Sequence, residues 1–109
     1  MLLLNLNLEQ RVIWFISEVT GRKLDKLHLS SRLLHDLGID GDDAAELVTK
    51  YAEAFQVDMK EFEFGKYFRS EPNLVSIFDR KQTLDSMLPL TIRDLVEYAL
   101  RGHCAGHSH

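Results

Sequence analysis

Four side chains able to bind soft metals crowd the end of the chain: His103, Cys104, His107 and His109 fall within seven residues. Imidazole and thiolate suit zinc, nickel or copper. No neighbouring acid would orient the imidazoles, so a loose histidine-rich tail is the competing reading. A second group is acidic. Nine carboxylates, Asp36, Asp40, Asp42, Asp43, Glu46, Glu53, Asp58, Glu61 and Glu63, stand against two lysines, Lys50 and Lys60. That stretch carries −7 in a chain of net −4, which leaves +3 for the rest. Such a field raises association rates with a basic partner by roughly 10- to 1000-fold at low salt. Its plain alternative is a solvated helix face. Asp36, Asp40 and Gly41 also sit where a calcium loop would begin. There, however, Gly38 and Leu47 would replace two of the required oxygen ligands. His28 and His35 have no serine, cysteine or acid set with them in a catalytic pattern, and no enzyme is expected.

Positioning such groups requires a core, and the composition allows one. Of 109 residues, 45% are hydrophobic and 28% charged, ordinary values for a domain that buries roughly two-thirds of its unfolded surface. The only adjacent basic residues are the pairs Arg22-Lys23 and Arg80-Lys81. Nucleic acid is therefore not expected as a partner, since phosphate contacts need clustered cations. Cys104 is the single cysteine, which rules out an intrachain disulfide and fits a reducing compartment. Met1 to Leu8 is apolar but lacks a basic flank, and Asn5 and Asn7 break it. It is too short for a signal core or a membrane span. A cytoplasmic protein without a membrane partner is the expectation.

Helical spacing accounts for most of the chain. Asn7 caps a first helix, with Gln10 in capping-box position, and Leu8, Val12, Phe15, Ile16 and Val19 recur until Thr20-Gly21. Ile13 and Trp14 fall off this stripe, which predicts a helix buried on more than one side. Residues 21–38 read as a connector in which Leu33, Leu34 and Leu37 close on Gly38, a residue suited to left-handed angles. Asp40 caps a second helix. Asp42 and Asp43 occupy its first turn, where the dipole favours each carboxylate by ~0.3–1 kcal/mol. Ala44, Leu47, Val48, Tyr51 and Phe55 form its apolar stripe, opposite Asp42, Glu46, Lys50 and Glu53. From Val57 to Phe68 the spacing shortens towards two and predicts a short pair of extended segments. Phe62, Phe64, Tyr67 and Phe68 there fill core, or else form a partner patch. Ser70-Glu71-Pro72 opens a further helix through Phe78, and 79–90 reads as loop. Thr91 and Asp94 make a second capping box for a last helix through Ile92, Leu95, Val96 and Ala99, ended by Gly102. The expected fold is a mainly α small helical bundle: one domain over residues 1–102 and a flexible His/Cys-containing tail over 103–109.

The segment at the head of the second helix has a family likeness. Asp36, Leu37, Gly38, Asp40, Asp43, Glu46 and Leu47 match, in register, the acyl carrier protein signature Asp-Leu-Gly-x-Asp-Ser-Leu-Asp-x-x-Glu-Leu. The chain resembles acyl carrier proteins there, along the first helix, and at Thr91 to Tyr98. Residues 56–90 are longer than the corresponding carrier region and do not fit it. The chain also resembles a family of bacterial carrier-like proteins that share Gly38-Ile39-Asp40-Gly41-Asp42-Asp43-Ala44-Ala45-Glu46-Leu47 and have no assigned activity.

In carriers, the resemblance implies, the serine after Asp40 would accept phosphopantetheine through its hydroxyl. Here that position is Gly41, and the apolar position after it is Asp42. No phosphopantetheine and no other cofactor are expected. Asp85-Ser86-Met87 repeats the local dipeptide, but Pro89 would interrupt the helix that a modifying enzyme reads. The sequence therefore predicts a non-catalytic module that docks the basic surface of a partner protein through Asp40, Asp42, Asp43, Glu46 and Glu53. Metal binding by the tail is the alternative.

Overall fold

The computed structural model describes residues 7–69 and 84–104, and four helices lie within them: α1 (Leu8–Thr20), α2 (Gly41–Phe55), α3 (Phe64–Tyr67) and α4 (Ile92–Arg101). Single 3₁₀ turns, Leu24–Lys26 and Leu84–Ser86, punctuate the connectors. The helix predicted from Ser70 to Phe78 lies outside the described residues.

Local chemistry sets the ends of α1 and α4. Asn7 accepts from the Gln10 N–H while the Gln10 side chain accepts from the Asn7 N–H, the reciprocal bonds expected. Thr91 and Asp94 form the same pair at the head of α4. Gly21 and Gly102 close the two helices in left-handed conformations. The end of α2 departs from this rule. Gln56 takes the left-handed C-cap at φ 54, a conformation that costs a residue with a side chain.

Packing follows the apolar stripes. α1 packs against both α2 and α4. It contributes Val12 and Ile16, α2 contributes Ala44, Leu47 and Tyr51, and α4 contributes Ile92, Leu95, Val96 and Tyr98, all buried. Leucine-sized side chains are worth about 1.5–3 kcal/mol each when so buried. Leu33, Leu34 and Ile39 of the first connector join the same core, and the Leu33 N–H bonds the Leu90 carbonyl at 2.8 Å. The connector is thus laid across the bundle. Tyr51 donates its hydroxyl to the Leu95 carbonyl, tying α2 to α4; burial holds that phenol well above its ordinary pKa. Trp14 is 37% exposed, so α1 is wetter on that side than the apolar run implies.

Residues 56–69 differ from the extended pair expected of them. Among the described residues, extended pairing is limited to isolated bridges, Arg32 with Thr91 and Asp58 with His103. The closely spaced aromatics instead wrap the one-turn helix α3. Phe64 and Phe68 meet at 5.1 Å across one helical step, and Phe62 stacks on Tyr67 at 5.0 Å. A spacing of four brings two rings together across one helical turn, whereas along a strand it would hold them about 13 Å apart. Tyr67 and Phe68 are buried and Phe62 and Phe64 pack against the core, which favours the core-filling reading.

Candidate functional site

Three arginines shape the segment that leads into α2. Arg22, just after α1, donates from Nε and Nη2 to the Leu37 carbonyl at 3.2 and 2.8 Å. Arg32 forks onto Asp36, Nε to Oδ2 at 3.0 Å and Nη2 to Oδ1 at 2.9 Å, and its backbone N–H joins at 2.8 Å. The Arg32 side-chain bonds, followed by its backbone bond, hold the Asp36 carboxyl down to about 2. The His35 Nε2–H reaches the Leu84 carbonyl at 2.9 Å. Gly38, at φ 71, then turns the chain as its composition predicts.

The head of α2 is where sequence and structure part. Asp40 stands at the N-cap position but its side chain makes no capping bond. Its carboxylate turns instead to Arg69: the Arg69 backbone N–H reaches Oδ1 at 2.6 Å and Nε reaches Oδ2 at 2.7 Å. These residues are 29 apart in sequence, and Arg69 follows the buried Tyr67-Phe68 anchor of α3. Gly41, the first residue of α2, adopts φ 56. That is left-handed backbone, which glycine enters without steric cost and a serine would not.

Beyond this head, the expected docking acids lie on the outer side of α2. Asp42, Asp43, Glu46 and Glu53 are exposed, whereas Asp40 is only partly so. Glu46 pairs with Lys50 at 2.8 Å, one helical turn on. Asp42 also interacts within the chain. The structure therefore gathers Asp43, Glu46 and Glu53 on one helix face and assigns Asp40 an internal partner. Nothing in the sequence marked Arg69 for this role, because the contact obeys no local spacing.

The C-terminal ligand group is divided. Cys104 is buried in the core, and its N–H bonds the Asp58 carbonyl at 3.0 Å, while the Asp58 N–H bonds the Gly102 carbonyl at 2.9 Å. His103 is exposed, and His107 and His109 lie outside the described residues. Burial, with Glu61 and Asp58 nearby, pushes the Cys104 thiol up, away from the thiolate that metals require. An open cleft of about 290 Å³ is lined by Asp58, Lys60, Glu61, His103 and Cys104. Among the described residues, no three His, Cys, Asp or Glu side chains are grouped to hold a metal ion. No described helix is long and apolar enough to cross a membrane.

Comparison with known proteins finds relatives by sequence. An acyl carrier protein of Rickettsia bellii strain RML369-C is 33% identical over 60 residues, spanning 55% of this chain and 70% of its own. Its counterpart from strain OSU 85-389 is 32% identical over 60 residues, 55% of this chain and 74% of that protein. No solved structure matches the chain. A family described as "Protein of unknown function (DUF1493)" matches residues 6–104. With nearly the whole folded domain inside that match, the chain belongs to the DUF1493 family and is a relative of the acyl carrier proteins.

Proposed function

We propose that this protein is a non-catalytic, carrier-like interaction module that docks a basic surface of a partner protein through the outer face of α2. The observation that carries the reading is the head of α2. It keeps the carrier acids Asp40, Asp43 and Glu46 while Gly41, in left-handed backbone, stands where the arm would be attached. An acidic helix without an attachment point retains only the docking half of a carrier's chemistry. Asp43, Glu46, Lys50 and Glu53 recur at helical spacing on that face, so a partner meets three acids along about 15 Å of helix. Attraction of this kind acts mainly on the association rate and weakens as salt shortens the Debye length from about 10 Å at 0.1 M.

The test replaces Asp43, Glu46 and Glu53 with Lys in the full chain and compares the proteins it recovers from host lysate at low and high salt. The reading requires a salt-sensitive partner that the triple variant loses. Equal recovery by both chains refutes it. Incubating the wild-type protein with a phosphopantetheinyl transferase and coenzyme A tests the other half, and a covalently attached arm on any residue overturns it.

A further inference from the structure

At the end of the bundle remote from Gly41, α1 begins where α2 and α4 end, and an open cleft of about 350 Å³ lies there. Its lining is Leu8, Arg11, Ala54, Phe55, Gln56 and Ala99, and its size suits a small molecule. Arg11 lies over the Phe55 ring, 5.9 Å from the centroid. It makes no ion pair or side-chain hydrogen bond with any described residue. Stacking holds a guanidinium by its face and leaves the N–H groups on its edge unused. Phe55 is itself braced, edge-on to Phe15 at 5.4 Å and against Tyr51 at 5.5 Å, so the cation sits on a fixed platform. Gln56 is the one non-glycine among the described residues with positive φ. Glycine would take that C-cap freely, yet an amide side chain stands there, beside the cleft. No described residue of the lining is acidic, in a chain with 17 acids against 13 bases.

We infer that this cleft binds a small carboxylic acid with an apolar body. The carboxylate takes two edge donors of Arg11, the forked geometry that makes guanidinium–carboxylate pairs strong, and the Gln56 amide donates a further bond. Leu8, Phe55 and Ala99 cover the hydrocarbon. Strain kept at a single non-glycine residue beside a cleft is the pattern of a ligand contact. The site lies ~21 Å along α2 from Gly41 and is independent of docking on the outer face of that helix. Because glycine suits position 56 better than glutamine does, replacing Gln56 separates binding from folding.

The experiment titrates the full-length protein with 3-phenylpropionate by NMR, with 3-phenylpropanamide as the uncharged control, after urea unfolding establishes that each variant folds. Wild type should bind the acid with a Kd on the order of 1 mM, the strength expected of about eleven non-hydrogen atoms. The backbone resonances of Leu8, Phe55, Gln56 and Ala99 should move with it. The amide should bind about tenfold more weakly, and Arg11→Gln should lose about tenfold for the acid alone. Arg11→Lys keeps the charge but not the fork and should lose about threefold. Gln56→Gly should also lose about threefold, at equal or higher stability. Equal binding of acid and amide, or full affinity in either Arg11→Gln or Gln56→Gly, overturns the site. So does no response of those resonances at about 10 mM acid, ten times the expected Kd.

Discussion

Substituting Gly41 tests the proposal that this chain takes no arm, and it separates the effect of a missing hydroxyl from that of left-handed backbone. At φ 56, Gly41 occupies left-handed space, where a Cβ costs about 1–2 kcal/mol. The same Cβ reduces the freedom of the unfolded chain and returns about 0.4–1 kcal/mol. Gly41→Ser should therefore lose about 1 kcal/mol, or about 4 °C in Tm for a domain of this size. Relaxing to negative φ offers little escape, since it would swing Asp40 relative to α2 and disturb both bonds to Arg69. Urea unfolding of Gly41→Ser, Gly41→Ala and Gly41→Asn reads the effect. Ser and Ala should fall together, because the penalty lies in the Cβ, and Asn should lose less, because it tolerates this region. With a phosphopantetheinyl transferase and coenzyme A, the Ser variant should show no mass gain. Ser and Ala variants as stable as wild type would refute the strain argument, and a modified Ser variant would show that the hydroxyl alone had been lacking.

Two further outcomes follow from the same geometry. Asp36 titrates near 2 in the fold against an ordinary value of 3.8, so its contribution to stability is complete above about pH 4 and disappears as pH falls towards 2. Asp36→Asn should flatten the Tm–pH profile in that window and nowhere else; superimposable profiles would show that the Arg32 fork contributes nothing. At the other end of α2, Gln56→Gly should raise stability by about 0.5–1 kcal/mol, relieving left-handed strain at some entropic cost. Urea unfolding measures this, and a destabilised variant would contradict it.

The sequence alone determined the parts of the molecule governed by neighbours a few residues apart. Capping boxes at Asn7 and Thr91 and the buried stripe Ala44, Leu47, Tyr51 depend on spacings of three or four, and the left-handed turn at Gly38 on glycine itself. The same locality made the acidic face of α2 and the absence of a serine at 41 legible at once. Tertiary structure decided the rest. The aromatics of residues 62–68 carry a spacing that suits strand or turn, and only the core they fill selects the turn. Asp40 reads as a helix cap because capping is the nearest available bond, yet a guanidinium 29 residues away takes it. Cys104 reads as a tail ligand until the bridge to Asp58 draws it into the core. In each case one polar or apolar group had two satisfactory uses, and the choice was made by what packing brought alongside it.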